Sequence, residues 1–356
     1  MNSKNRPADP DIESDPFGER ISARAHKPMS LLGGRFRFES NSKELLALVD
    51  AAYAGLPKQQ FSSMPKAFRV KLMLTPAPAR FSRRRAARHK EPAPAAMLQG
   101  AGFLGSATPS STFVVLSPKE RAGLVCVSEE MLRFPYHLRY EVIEFAVFTL
   151  ACRAQGLVPL HAACVGLDGR GILLMGSSGA GKSTVALQCL LEGFDFLSED
   201  SVFVAPTSMR ATGTANFLHV RADSLRWLGR SRARSIITQS PVIQRRSGIE
   251  KFEVDLRHET FHLAKTPLKL AGVAFLSPRS AGKRPLLRPL SASETLDRLK
   301  REQAYGASLP QWRAFSRSLL RLGAVEILRG SHPATSAEAL RTLLRQGITR
   351  PRRSSV

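Results

Sequence analysis

Hydrophobic and polar positions change their period several times along the chain, and each change predicts an element. Residues 35–40 (RFRFES) alternate, which sets Phe36 and Phe38 on one face of a strand. Residues 43–54 instead space Leu45, Leu46, Leu48, Val49 and Tyr53 along one face of a helix. Alternation returns over 68–74 (FRVKLML), and short apolar runs at 113–116 and 123–127 suit two more strands. Residues 135–153 carry Leu138, Val142, Phe145, Ala146, Thr149 and Leu150 at helical spacing, enough for about five turns. Residues 160–167 read as one strand, Gly169 and Arg170 as a turn, and 171–175 as the next strand. A helix over 184–192, ended by Gly193, and a strand over 194–197 follow. Farther on, the pattern predicts strands near 252–256 and 270–276 and helices around 293–302, 312–322 and 335–345. No internal repeat is visible.

Stretches without a period set the boundaries. Residues 1–30 mix Pro, Asp, Ser and Arg and predict a disordered tail. Residues 76–111 hold Pro76, Pro78, a basic run, Pro92, Pro94 and small residues, and predict a long loop or disordered insertion. The chain thus divides into a tail (1–30), a smaller α+β region (31–130) carrying that insertion, an α/β domain (131–349) and a basic tail (350–356). At 356 residues and 43 % hydrophobic composition, two or three domains with real cores are within reach.

Charge changes this picture little. Lys and Arg number 53 against 29 Asp and Glu, a net +24, which favours phosphate-bearing or acidic partners. The Arg runs fall mostly in weakly patterned stretches and read as solvated faces. Aromatic residues are 7 % of the chain and no basic stripe is interleaved with them, so no specific nucleic-acid partner is expected. Cys126, Cys152, Cys164 and Cys189 form no CxxC pair and sit in apolar surroundings, as buried thiols of a reducing compartment do. Residues 1–19 lack the apolar core of a signal peptide, and the longest apolar stretch, 142–152, is too short to span a bilayer. A cytoplasmic protein without membrane contact is the expectation.

One segment carries specific chemistry. Gly176-Ser177-Ser178-Gly179-Ala180-Gly181-Lys182-Ser183 fits G-x-x-x-x-G-K-[ST] at every position, and Thr184 continues it. An apolar strand precedes it and an amphipathic helix follows, the context such a phosphate loop requires. Glycines let backbone N–H groups close around phosphate oxygens, and the following helix aims its N-terminal dipole at the same anion. Lys182 supplies a mobile cation for the β- and γ-phosphates of ATP, and Ser183 a hydroxyl for Mg²⁺. A short helix and strand then bring Glu199 and Asp200 back beside the loop, where two carboxylates can hold Mg²⁺ and accept a hydroxyl proton. His161, taken alone, reads as a hydrogen-bonded core histidine.

The stretch LHAACVGLDGRGILLMGSSGAGKSTVALQCLLEGFDFLSEDSVFV, residues 160–204, resembles the catalytic core of the HPr kinase/phosphorylase family. A His-bearing strand, a hairpin into the glycine loop, a helix closed by Gly and a strand ending in two acidic residues keep the family's distances. The resemblance implies an α/β P-loop kinase core related to the HPr kinase and phosphoenolpyruvate carboxykinase fold, and transfer of the γ-phosphoryl of ATP to a serine. It implies His161 beside the reacting phosphate and Asp200 as general base or magnesium partner, with Glu199 standing where the family usually has Asp. It also favours a homo-oligomer. The family's Arg-Gly-Leu-Gly signature is absent, with only Arg221 retained in the nearest segment, and its Pro-Gly-Arg-Asn segment is missing, with Lys251 and Arg257 as candidate substitutes. The likeness is therefore to shorter, divergent HPr-kinase-like proteins, some of which resemble kinases acting on a serine of a small peptide, and it implies transfer to a Ser or Thr of a protein or peptide here. The alternative is an ATP-binding regulator or scaffold without phosphotransfer.

Overall fold

The computed structural model describes residues 25–75, 92–109, 112–257 and 261–348. Its first strands are β1 (Ala25–Leu31), β2 (Gly34–Ser40) and β3 (Ala67–Thr75). Along β2, buried Phe36 and Phe38 alternate with exposed Arg35 and Arg37, as the pattern requires. Between β2 and β3, helix α1 (Lys43–Tyr53) starts where the Ser42 side chain accepts from the Leu45 N–H, and it buries Leu45, Leu46 and Val49. Strands β2 and β3 are parallel, so α1 serves as the crossover.

Two expectations are corrected here. The tail expected over 1–30 becomes structure at Ala25, because β1 pairs antiparallel with β2 along its whole length. Its polar sequence fits an edge strand, where Pro28 needs to donate to no neighbour. Residues 1–24 lie outside the described residues. The insertion expected over 76–111 contains a hairpin, β4 (Ala96–Gly100) and β5 (Phe103–Ala107). Ala101 and Gly102 both take positive φ, +47° and +80°, as a tight two-residue hairpin turn needs. Residues 76–91, 110 and 111 are outside the described set. With β6 (Phe113–Ser117) and β7 (Ala122–Ser128), the first sheet runs β1-β2-β3-β7-β6-β5-β4.

The helix expected over 135–153 is present with an irregular start. Pro135–His137 leads into a π-helical segment, Leu138–Ile143, and then α2 (Glu144–Gln155). Gly156, in the left-handed region at φ +66°, ends α2 with its N–H on the Cys152 carbonyl. Leu138, Val142, Ala146 and Leu150 pack into the same core as Phe36, Phe38 and Val70.

The chain continues through β8 (Val158–His161), β9 (Ala163–Leu167), β10 (Arg170–Met175), helix α3 (Lys182–Leu191), β11 (Asp195–Ser198), β12 (Ser201–Ala205) and β13 (Arg210–Gly213). Strands β14 (Phe217–Val220), β15 (Val242–Gln244) and β16 (Glu250–Asp255) form a small sheet ordered β14-β16-β15, with helix α4 (Arg232–Gln239) between the first two. Strands β17 (Leu268–Ser280), β18 (Leu287–Pro289) and β19 (Ala324–Arg329) and helices α5 (Ala292–Glu302), α6 (Trp312–Leu322) and α7 (Pro333–Gln346) complete the chain. The second large sheet runs β11-β9-β10-β17-β13-β12-β8, with β19 beside β17 and β18 beside β19. Val185, Ala186 and Leu190 of α3 and Leu340 and Leu344 of α7 share one core, and Leu299 of α5 with Phe315 and Leu319 of α6 belong to another. The molecule is a mixed α/β protein. No helix among the described residues is long and apolar enough to cross a membrane.

Candidate functional site

The single strand expected over 160–167 is two strands, and the break builds the site. β8 pairs with β12, whereas β9 pairs with β10 and β11. The chain therefore steps between sheet positions at Ala162, whose N–H donates to the Asp200 carbonyl at 3.2 Å. The partner strands make the same step at Glu199 and Asp200, the link between β11 and β12. His161 and the acidic pair are thereby fixed at one point. His161 is further clamped by Gln303, whose side chain accepts from the His161 N–H at 2.8 Å and donates to its carbonyl at 3.0 Å.

Next to that point β10 ends and residues 176–181 turn into α3. Gly179 and Gly181 have φ of +82° and +98°, a conformation L-residues rarely adopt. A Cβ at either would meet no atom within 4 Å, so the bare backbone faces open space. No side chain caps the start of α3, which leaves its first N–H groups for an anion.

The side chains form two connected groups. Lys182 Nζ lies 2.8 Å from His161 Nε2, and His161 Nδ1 lies 3.0 Å from Asp200 Oδ1. Because an ammonium only donates, Nε2 accepts and Nδ1 carries the proton toward Asp200. Lys182 Nζ is also 3.6 Å from Asp200 Oδ1, and Arg245 approaches the other oxygen, Oδ2, at 3.6 Å. Crowding by protein lowers the pKa of His161, Asp200 opposes the fall, and Lys182 and Arg245 add to it. In the second group Ser183 Oγ donates to Glu199 Oε1 at 2.6 Å. Glu199 Oε2 accepts from the His219 backbone N–H at 2.8 Å and from His219 Nδ1 at 3.1 Å. Burial works against the Glu199 charge, but the His219 and Ser183 bonds outweigh it and bring its pKa down to about 2. Burial likewise opposes the His219 charge, and the bond to Glu199 with the Glu253 carboxylate 3.7 Å from Nε2 raises its pKa regardless.

These groups line a cavity of about 280 Å³ that also takes in Ser177, Ser178, Gly179, Gly181 and Thr184. Lys182, Arg221, Arg245 and Lys251 give it four cationic side chains against the carboxylates of Glu199, Asp200 and Asp223. Lys251, one of the two candidate substitutes for the missing basic segment, lines this cavity. Arg257 does not: its guanidinium pairs with Asp255 and donates to the Ala54 carbonyl at 3.1 Å. Reading His161 as a core histidine is corrected as well, since its side chain is 61 % exposed at the cavity mouth. Sequence reasoning missed His219, Arg245, Glu253 and Gln303, which come from strands and loops with no local motif. The four cysteines are buried and free, as expected, and burial raises the Cys152 thiol to about 12.

Comparison with known proteins adds a relative. HPr kinase/phosphorylase of Mycoplasmopsis pulmonis is 35 % identical over 72 residues, 20 % of this chain and 23 % of that protein. Over that stretch the chain is similar to HPr kinase/phosphorylase. The HPr-kinase-like stretch thus spans about a quarter of the length of the curated relative it matches. The HPr(Ser) kinase/phosphatase from Coxiella burnetii aligns over 52 % of this chain and 94 % of its own, at 13 % identity and a TM-score of 0.25. No family model matches this chain.

Proposed function

We propose that this chain is an ATP-dependent kinase that transfers the γ-phosphoryl group to a Ser or Thr hydroxyl of a protein or peptide. The observation that carries this reading is the Lys182–His161–Asp200 chain at the mouth of the cavity holding the glycine loop. Phosphates laid on the loop would accept its N–H groups and the Lys182 ammonium. The acceptor oxygen attacks the γ-phosphorus, the bond to the β-bridging oxygen breaks, ADP leaves, and the hydroxyl proton passes to the Asp200 carboxylate. Neutral His161 orients that carboxylate through Nδ1, and Arg245 holds its other oxygen. The work is positioning and charge stabilisation.

The residues present fit Mg²⁺. Glu199 is a carboxylate held ionised, with the Ser183 hydroxyl 2.6 Å away and Asp200 adjacent in the chain. Among the described residues no three or more His, Cys, Asp or Glu gather to hold a metal unaided. That suits an ion bound by one or two carboxylates together with nucleotide phosphates. When bound, Mg²⁺ offsets phosphate charge beside Ser183, Glu199 and Asp200.

The acceptor has its own approach. A second opening of about 500 Å³ shares His161 and Asp200 and is walled by Phe145, Phe148, Phe203 and Tyr305. A hydroxyl-bearing segment entering there reaches Asp200, 39 % exposed, from the side away from the loop.

The alternative, an ATP-gated regulator without transfer, draws on a buried chain of contacts. Glu199 bonds His219, His219 Nε2 lies 3.7 Å from Glu253, and Glu253 takes Arg139 at 2.5 Å and Tyr140 at 2.9 Å. Ligand at Ser183 would be felt at the π-helical segment. Incubating cell lysate with γ-labelled ATP and wild-type, Lys182→Ala or Asp200→Ala protein separates the two. A labelled protein band lost in both variants supports a kinase and identifies its substrate. ATP binding without any label transfer supports the regulator.

A further inference from the structure

On the other side of the glycine loop lies a cavity that phosphoryl transfer leaves unused. It measures about 360 Å³ and shares Gly179, Gly181, Thr184, Asp223 and Ser224 with the cavity of Lys182 and Asp200. The loop is thus a sill between two adjacent spaces. The first is lined by charge. The second has an apolar floor, including Val185, Leu276 and Ile327, and a rim of Trp227, Arg329 and His332. Its volume suits a small planar ligand with a sugar, within the range typical of ligand pockets.

Trp227 is held in place from several directions. It ends the 3₁₀ turn Ala222–Trp227, and Ser224 of that turn shares a 3.1 Å hydrogen bond with Thr184 at the start of α3. The His332 ring meets the indole edge-on at 5.1 Å, and the Arg226 guanidinium lies 4.7 Å from its ring centroid. An aromatic wall is therefore tied to the helix that would receive the phosphates. Arg329 reaches across the sill to the Gly179 carbonyl at 3.5 Å.

We infer that this cavity seats the aromatic base of the nucleotide, against the indole of Trp227, while the phosphates cross the sill at Gly179–Gly181. The inference rests on the phosphate-loop reading above. A polyphosphate extending from one cavity over shared loop residues brings its nucleoside into the other. The indole supplies the wide apolar contact that bases favour on aromatic side chains.

The chain has two tryptophans, Trp227 and Trp312, and Trp312 packs against a different core, so the emission is read in Trp312→Phe protein, where Trp227 is the one indole left. The full chain is titrated with ADP and with inorganic tripolyphosphate, following tryptophan emission and heat. ADP is expected to change the emission and tripolyphosphate to leave it nearly unchanged. Trp227→Ala weakens ADP binding about ten-fold or more, equivalent to about 1.4 kcal/mol, and leaves tripolyphosphate affinity within about two-fold. Trp227→Phe retains most of the ADP affinity, which separates loss of base contact from loss of fold. Equal effects of Trp227→Ala on both ligands, or ADP binding with silent emission and no loss in the variant, overturn the inference. Wild-type protein that binds neither ligand overturns the phosphate-loop reading together with it.

Discussion

Lys182 belongs to both sides of the site, since its ammonium contacts His161 and Asp200 while its backbone begins the helix that faces the loop. Removing it should cost both binding and transfer. Lys182→Ala is expected to weaken tripolyphosphate binding and to lower label transfer by about 10²-fold or more, the usual loss when one charge-stabilising group goes. Asp200→Asn keeps shape and should leave tripolyphosphate binding near wild type while transfer falls by a similar factor. Single-turnover assays beside calorimetry distinguish the two, and normal transfer by Asp200→Asn would remove Asp200 from the mechanism. Glu199 and His219 make a pH prediction. The folded pKa of Glu199, about 2, lies below its ordinary 4.5, so its stabilisation is complete above 4.5 and is lost as pH falls through about 2. The folded pKa of His219 lies above its ordinary 6.5, so its stabilisation is complete below 6.5 and is lost as pH rises through the raised value. Glu199→Gln should therefore melt well below wild type near neutral pH, and the gap should narrow progressively as pH drops below about 4.5. A gap unchanged from about pH 7 to 3 would show that Glu199 is not ionised in the fold.

At the scale of elements, the informative event is the paired step of β8–β9 and β11–β12. The sequence run VPLHAACVGL shows no Gly, Pro or turn residue at Ala162, so period alone read residues 160–167 as one strand. What divides it is pairing of its two halves with different strands farther along the chain, β12 and β11, a non-local cause that no window detects. The helix boundaries at 312–322 and 335–345 were legible because amphipathic spacing and flanking Gly and Pro act locally, and the observed helices, Trp312–Leu322 and Pro333–Gln346, agree. The glycine-loop segment was legible for the same reason. Gln303 was not, because its role depends on α5 ending beside His161. Its clamp yields a third prediction. Gln303→Leu preserves size but removes both bonds to the His161 backbone. His161 then loses its fixed approach to Asp200, so the transfer rate should fall about ten-fold or more with tripolyphosphate affinity unchanged. Gln303→Glu removes only the donor to the His161 carbonyl and should be intermediate in single-turnover rate. A Leu variant with wild-type kinetics and a lower melting temperature would mean that Gln303 only stabilises the fold.

Across the whole molecule, the two large sheets do not keep separate cores. The core under the first sheet takes Leu157, Phe203 and Leu309 from the later chain, together with the buried face of α2. Polar contacts cross the same boundary. Gln59 Nε2 donates to the Ala264 carbonyl at 2.5 Å, Thr212 donates to Gln59 Oε1 at 3.3 Å, and Asn216 donates to the Ala52 carbonyl at 3.0 Å. Each is buried, so separating the regions would strand a donor or acceptor at about 1–3 kcal/mol apiece. A domain limit drawn at residue 131 passes through this shared core, because Leu138, Val142, Ala146 and Leu150 would lose the sheet they cover. A chain of this length would ordinarily unfold in more than one step if its regions were independent. The shared core predicts otherwise. Calorimetry of the full chain should give one transition whose van't Hoff and calorimetric enthalpies agree, and a fragment of residues 131–356 should show no cooperative melt. Two resolved transitions, with the fragment reproducing the upper one, would mean that the site folds without the first sheet. In that case the first sheet's contribution would be confined to the larger opening beside Asp200, which Met97 of β4 lines together with Phe148 and Tyr305.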